Sequence, residues 1–368
     1  MSTAVLPWSA CPAKTVDTHR APRVKSWLLL AVTGVGIACS SAHPAPATPN
    51  GEAAGSEFTA PAAGAPPATF DAAHEYVVAP GLRWLVVAKP SALVPKLEAL
   101  FPTFLPLQRR AAFDCATGVT LETTASAAIA GYDYSTLYVA RTRSAAAAEL
   151  PLTRFRAHLT DLPLRRDVLG LALYSGIRDE TPEHYAKLDA YTHAWAEGDP
   201  STLKAAMLRA QKRLTETRPA LTGASLSLLP SECHTGDLTV YVAGPLSPTS
   251  VANLPSAVLG RLLAASLGIT LGTDAMQING CIVGDWEDDG KQRVESLLAA
   301  IENHRFTSLL ELTDEERSAI VHQADATVHF SYTLRASHAL QRIHAILELD
   351  LDALLRGPPI NAPGATPP

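Results

Sequence analysis

Apolar residues recur along this chain in two spacings, every second position and every third or fourth, and each implies a different element. The clearest period-two stretch is 327–334, where Val328, Phe330, Tyr332 and Leu334 alternate with Thr327, His329, Ser331 and Thr333. One apolar and one polar face is what an antiparallel sheet with a solvated side requires. Arg83–Ala88 has too few polar residues for a solvent face and predicts a strand covered on both sides. Further strands are predicted at Ser126–Tyr132 and Thr136–Arg141, joined by the tight turn Asp133-Tyr134-Ser135, and at Val168–Ile177, Leu238–Ala243 and Ala275–Val283. Gly280 inside the last of these marks a candidate bulge.

The wider spacing predicts helices. One follows Pro90-Ser91 with Leu97, Leu100 and Phe101, and another spans Arg154–Thr160. Ser256–Ser266, Lys291–His304 and Asp314–His322 read as helices, and Ser337 opens a long one carrying Leu340, Ile343, Leu347, Leu351 and Leu354 before Gly357-Pro358 stop it. Residues 181–214 carry two readings. Thr181-Pro182-Glu183 has the chemistry of a helix start, and Leu188, Tyr191 and Trp195 fall at i, i+3, i+7. Gly198 then closes that helix and Asp199-Pro200 opens another through Leu214. Tyr185, Lys187, Asp189, Tyr191, His193 and Trp195 also alternate as a strand would, but the caps favour a helical hairpin.

These elements predict an α+β fold, with antiparallel sheets and packed helices forming two lobes around a central helical hairpin. The expected division is an α+β lobe at 70–180, the hairpin and a loop at 181–235, and a second α+β lobe at 236–356. Outside them lie residues 1–38, an Ala/Pro-rich stretch at 39–69 and a tail at 357–368. Between Ser40 and Pro67, fifteen of 28 residues are Ala or Pro and Phe58 is the lone large hydrophobe. Such a segment cannot bury enough apolar area to offset its ordering entropy, so it reads as a flexible tether.

The tether gives meaning to what precedes it. Arg20, Arg23 and Lys25 lead into the apolar run Trp27–Ala38, which ends at Cys39. Twelve residues are too few to span a bilayer, which takes roughly 20, but they match the apolar core of an export signal. Basic, apolar, small residue, cysteine: the order resembles bacterial lipoprotein precursors, with Ala38 and Cys39 at the end of the lipobox and Gly36 where that family usually carries a larger apolar residue. The resemblance covers the export segment alone. It implies cleavage before Cys39, lipid attachment at Cys39, and a membrane partner reached through that lipid, in the bacterial cell envelope.

Charge and cysteine usage fit an exported body. Residues 1–38 hold four basic residues and one acidic, so the processed chain carries 26 basic against 35 acidic residues, a formal charge of −9. That argues against nucleic acid as a partner, since phosphate binding needs a clustered positive face. Of the cysteines beyond Cys39, Cys233 lies in a loop-like stretch and Cys281 in a strand-like one. They form the favoured disulfide pair, while Cys115 in a helical context reads as a small buried hydrophobe.

Motifs for chemistry are incomplete. Ser201-Thr202-Leu203-Lys204 matches an SxxK, yet the companion elements of penicillin-recognising enzymes are missing. Asp285–Gly290 begins like a calcium loop, but its twelfth position is Ser296 where a bidentate Glu belongs. Gly223–Ser227 lacks the second glycine of a nucleophile elbow, and His338 and His344 lie about 120° apart round a helix. No cofactor, metal site or catalytic residue is therefore assigned. The expected role is a non-catalytic binding or structural lipoprotein with a protein or small-molecule ligand. The alternatives are a solute-binding lipoprotein of a transporter or an exported hydrolase, the latter collecting in one deep pocket two or more of His184, His193, His234, His329 and nearby carboxylates.

Residues 1–26 are long for a signal leader, and bacterial start codons include one that elsewhere encodes valine. Translation is expected to begin at Val24, so N-terminal peptides of the unprocessed precursor should map no further upstream than that position.

Overall fold

The structure is a computed structural model and describes residues 70–144, 150–168, 170–211, 218–245, 258, 260–286, 289–302 and 319–348. Its twelve described strands are β1 (Leu82–Ala88), β2 (Thr124–Tyr132), β3 (Ser135–Thr142), β4 (Leu164–Val168), β5 (Leu171–Arg178), β6 (Thr181–Lys187), β7 (Thr192–Gly198), β8 (Leu238–Ala243), β9 (Leu262–Leu271), β10 (Ala275–Gly284), β11 (Ile320–Ala324) and β12 (Thr327–Arg335). They form one antiparallel sheet in the order β11-β12-β10-β9-β8-β1-β2-β3-β7-β6-β5-β4. Six described helices pack on it: α1 (Pro90–Leu100), α2 (Leu107–Thr117), α3 (Leu150–His158), α4 (Ser201–Ala210), α5 (Gly290–Glu302) and α6 (Ala336–Glu348).

The α+β reading as two lobes around a helical hairpin is overturned: a single continuous sheet dominates the fold. The stretch read as the first helix of that hairpin is instead the β-hairpin β6–β7. Its alternation prevails because both faces are covered. Ala186, Ala194 and Ala196 lie on one buried face, and Tyr185 and His193 on the other. A local N-cap contributes about 0.5–2 kcal/mol. Burying these side chains between layers contributes more, at roughly 1.5–3 kcal/mol for each large one. Pro182 sits one residue inside β6, near the strand end, where a missing donor harms the ladder least. Asp179 and Glu180 turn the chain into β6 with φ of 47° and 66°, as a two-residue hairpin turn demands.

Other expectations shift for related reasons. Of the run read as a helix over Ser256–Ser266, residues 262–266 instead form the first half of β9, which pairs with both β8 and β10. The end of the helix expected over Asp314–His322 falls instead in the edge strand β11, which begins at Ile320; residues 303–318 lie outside the described set. The stretch Val168–Ile177 is divided between β4 and β5, which form a hairpin.

The register is continuous. Reading across from one edge to the other, His322, His329, Cys281, Ser266, Tyr241, Leu85, Ala130, Leu137, Ala196, His184, Ser175 and Leu164 are successive cross-strand partners. Direct partners share a face, so this row defines face A. Its middle is apolar and buried beneath residues 70–79, α4 and the 3-10 turns between Ala220 and His234. Helix α4 meets it with Leu203, Ala206, Met207 and Ala210 at i, i+3, i+4 and i+7. Face B carries the other five helices. Val86, Ile129, Leu238 and Ile269 lie beneath α1 and α6, Ile282 and Val328 beneath α5, and Ala140 beneath α2.

Gly280 does not form a bulge. It pairs directly with Phe330, whose ring lies over it so closely that an added Cβ would come within 2.0 Å of the ring. Gly280→Ala should therefore lower stability by about 1–3 kcal/mol through overpacking. Urea unfolding of wild type and variant measures this.

Candidate ligand site between the sheet and two helices

On face B, β3, β6 and β7 place large side chains opposite one another. Tyr138 pairs with Trp195, and Trp195 with Tyr185. Helix α3 lays Phe155 against the Tyr185 ring, with centroids 5.5 Å apart and planes 27° apart. Helix α2 brings Phe113 over Ala140, and its end is set by Gly118 at φ 73°, whose N–H donates to the Asp114 carbonyl at 2.7 Å. Between these layers lies a cavity of about 60 Å³, walled by Phe113, Phe155, Tyr138 and Trp195. It has room for a few waters or one small functional group rather than a whole substrate.

Two carboxylates face the same cavity. Glu183 on β6 and Glu197 on β7 are direct cross-strand partners. Arg178 reaches Glu183 at 3.5 Å. Burial pushes the Glu183 carboxyl up to about 7; Arg178 opposes the shift, and Glu197 and Asp179 add to it. Tyr138 is held well above the usual phenol range by burial and then by the two carboxylates. His158 is lowered by burial, with its Nε2 at 3.2 Å from the Cys115 carbonyl. A carboxyl that changes protonation near neutrality beside a second carboxylate can both donate and accept a hydrogen bond. The walls around the pair accept an apolar group.

The four histidines named for a hydrolase do not converge there. His184 borders the cavity, but its ring lies on face A, engaged by the Ser175 hydroxyl at 2.9 Å and the Gly198 carbonyl at 3.0 Å. His193 is enclosed, its Nδ1 2.8 Å from the Tyr185 hydroxyl, and burial lowers it to about 4. His234 contacts the Tyr241 hydroxyl at 3.2 Å, and His329 lies 3.4 Å from the Cys281 sulfur, both on face A.

Other sequence-marked residues are structural or solvated. Ser201 is exposed, its amide donating to Asp199 Oδ1 at 2.7 Å. Asp289 pairs with Arg293 one turn on, which holds its carboxyl below the usual range; residues 287–288 lie outside the described set. Gly223 is the extended residue between two short 3-10 turns, the second of which holds Ser225; His338 contacts Arg342, and His344 stacks edge-on with Phe101. Cys115 is half-buried on α2 and disulfide-bonded, so it is not an enclosed free thiol. Cys39, Val24, the 39–69 tether and the 357–368 tail all lie outside the described residues.

Cys233, on a 3-10 turn (Ser231–His234), is joined to Cys281 of β10 by a disulfide with Cα atoms 5.8 Å apart. Asp189, one of the alternating residues of the sequence, is a buried anchor for the β6–β7 turn. It accepts from the Tyr191 amide at 2.6 Å, the Thr192 hydroxyl at 3.0 Å, Arg141 at 3.4 Å and the Tyr76 hydroxyl. The local sequence does not reveal the Glu183–Glu197 pair, because Thr181-Pro182-Glu183 has the chemistry of a helix start; the strand register alone sets the two opposite.

No protein-family model and no curated protein matches the chain. Among solved structures, TP0453 resembles it: crystal form III aligns with a TM-score of 0.44 at 12% identity, covering 75% of this chain and 99% of that one. Crystal form I aligns with a TM-score of 0.42 at 14% identity, covering 76% and 98%. At TM-scores under 0.5 these likenesses carry no argument about function.

Because Glu183 binds its proton more tightly folded than unfolded, its burial costs stability as pH rises from about 4.5 towards about 7. His193 acts in the opposite sense, costing stability as pH falls from 6.5 towards about 4. Glu183→Gln should remove the alkaline-side loss, up to about 3 kcal/mol. The check is urea unfolding of both proteins at about pH 5 and about pH 8, on either side of the Glu183 transition. An identical pH dependence in the variant would contradict the burial of this carboxyl.

Proposed function

We propose that the chain is an exported cell-envelope lipoprotein, acylated at Cys39 and carried on the 39–69 tether, whose sheet body binds a ligand without transforming it. The observation that carries the location is the Cys233–Cys281 disulfide in the buried layer of face A. Such cross-links persist in oxidising compartments and are rare in the reducing cytosol. The basic–apolar–cysteine segment supplies the export route. No helix of the described residues is long and apolar enough to cross a membrane, so attachment in this reading falls to the lipid.

Binding without catalysis is the reading the cavity supports. Its carboxylate pair and aromatic walls suit a ligand that offers a hydrogen-bond donor on an apolar frame. Two carboxylates line the cavity, but none of the four histidines a hydrolase would gather turns its ring into it: His184 borders the cavity with its ring on face A, where both nitrogens are engaged. A transporter's solute-binding protein would need a cleft that closes between two lobes. The described sheet runs unbroken from β4 to β11 and offers no such hinge.

Cys39→Ser removes the acylated sulfur and leaves the body untouched. Fractionation of cells making each form should show wild type with membranes and the variant in the soluble exported fraction. A variant that remains with membranes would overturn the lipoprotein reading.

A further inference from the structure

The face A row runs outward from the buried core to the β11 edge as Tyr241, Ser266, Cys281, His329 and His322. Three groups in this region lie together. The sulfurs of Cys233 and Cys281 and a ring nitrogen of His329 all fall within 4.8 Å of one another. His329 Nδ1 is 3.4 Å from the Cys281 sulfur. Both cysteines are 5% exposed, whereas Ser231 and Glu232, next to Cys233, are exposed to solvent.

Ser266 supplies a second, independent observation. It is 4% exposed and its hydroxyl has no hydrogen-bond partner among the described residues, although it sits directly across from Cys281 on the same face. A buried hydroxyl left unpaired costs about 1–3 kcal/mol. A disulfide sulfur is a poor acceptor, whereas a thiolate is a strong one. An anionic Cys281 sulfur is the change that would satisfy Ser266.

We propose that the Cys233–Cys281 disulfide is one of two states of this site, and that its reduction opens a zinc site of Cys233, Cys281 and His329. A dithiol reductant breaks the S–S bond by exchange: it delivers two electrons and two protons and leaves as its own disulfide, so both cysteines become thiols. Zinc then displaces both thiol protons to solvent and takes two thiolates and the neutral imidazole. Two sulfurs and one nitrogen form a soft donor set suited to zinc, and three protein ligands leave the fourth tetrahedral position to water. The Ser266 hydroxyl donates to the Cys281 thiolate from the outer shell and orients it. The two cysteines come from a short 3-10 turn and from a strand held on both sides, so the turn supplies the movement that bond opening needs.

The site does not depend on lipid at Cys39. The disulfide is the form for an oxidising compartment; the dithiol is the form of the newly made chain or of one that has met a reduced dithiol protein.

The test uses the full chain, oxidised or reduced with a small dithiol under argon and then desalted, titrated with Zn²⁺ against a chromophoric chelator and separately with Co²⁺. One equivalent of zinc should bind after reduction and none before, and cobalt should give thiolate-to-metal charge-transfer absorption. Ser266→Ala should weaken zinc binding by about tenfold or more, and His329→Ala by more than that. His338→Ala, on a distant helix, should change nothing. A reduced chain that binds no zinc, or a His329→Ala chain that binds as wild type does, overturns the proposal. If reduction abolishes the near-UV circular dichroism, zinc should restore it; failure to restore it overturns the proposal equally.

Discussion

Pairing of β1 on both of its edges is the constraint on which the rest of the molecule depends. Trp84–Ala88 hydrogen-bonds to β2 on one side and to β8 on the other. One neighbour lies about forty residues downstream and the other about one hundred and fifty, so this strand splices the two halves of the chain into one sheet. Leu85 is buried on face A and Val86 on face B, so β1 also joins the two cores. A strand with a solvated face could not serve there. The near absence of polar residues in Arg83–Ala88 is therefore a requirement of position.

From that seam the two faces acquire different roles. Face B is roofed by helices contributed by both halves, and the roof is incomplete where α2 and α3 meet β3, β6 and β7. The carboxylate pair lies in that gap, and its raised protonation follows from burial rather than from any local sequence feature. Face A is covered over its middle and grows polar towards β11, where a hydroxyl, a cross-linked pair of sulfurs and a histidine follow one another. Each site exists because neighbouring strands present residues in register.

Legibility in the sequence followed the range of the deciding interaction. The alternation of 327–334 marked β12, and the turn Asp133-Tyr134-Ser135 linked β2 to β3, because hairpins are set by residues close in the chain. The region 181–198 misled because its local chemistry is double: Thr181-Pro182-Glu183 suits a helix start as well as it suits the first residues of β6. The Leu- and Ala-rich stretch that includes β9 misled likewise, since a strand buried on both faces and a buried helix share a composition.

Taken alone, the sequence determined where the apolar alternation lies, that the chain is acidic past its first 38 residues, and that a basic–apolar–cysteine segment precedes an Ala/Pro stretch. Each is a property of neighbouring residues or of composition. The tertiary structure decided that one sheet replaces two lobes, that Glu183 faces Glu197, and that His329 and Ser266 flank Cys281. Those outcomes arise from strand pairing over tens to hundreds of residues. There, burial and hydrogen bonding across the whole sheet outweigh caps and spacings that contribute about 1 kcal/mol each.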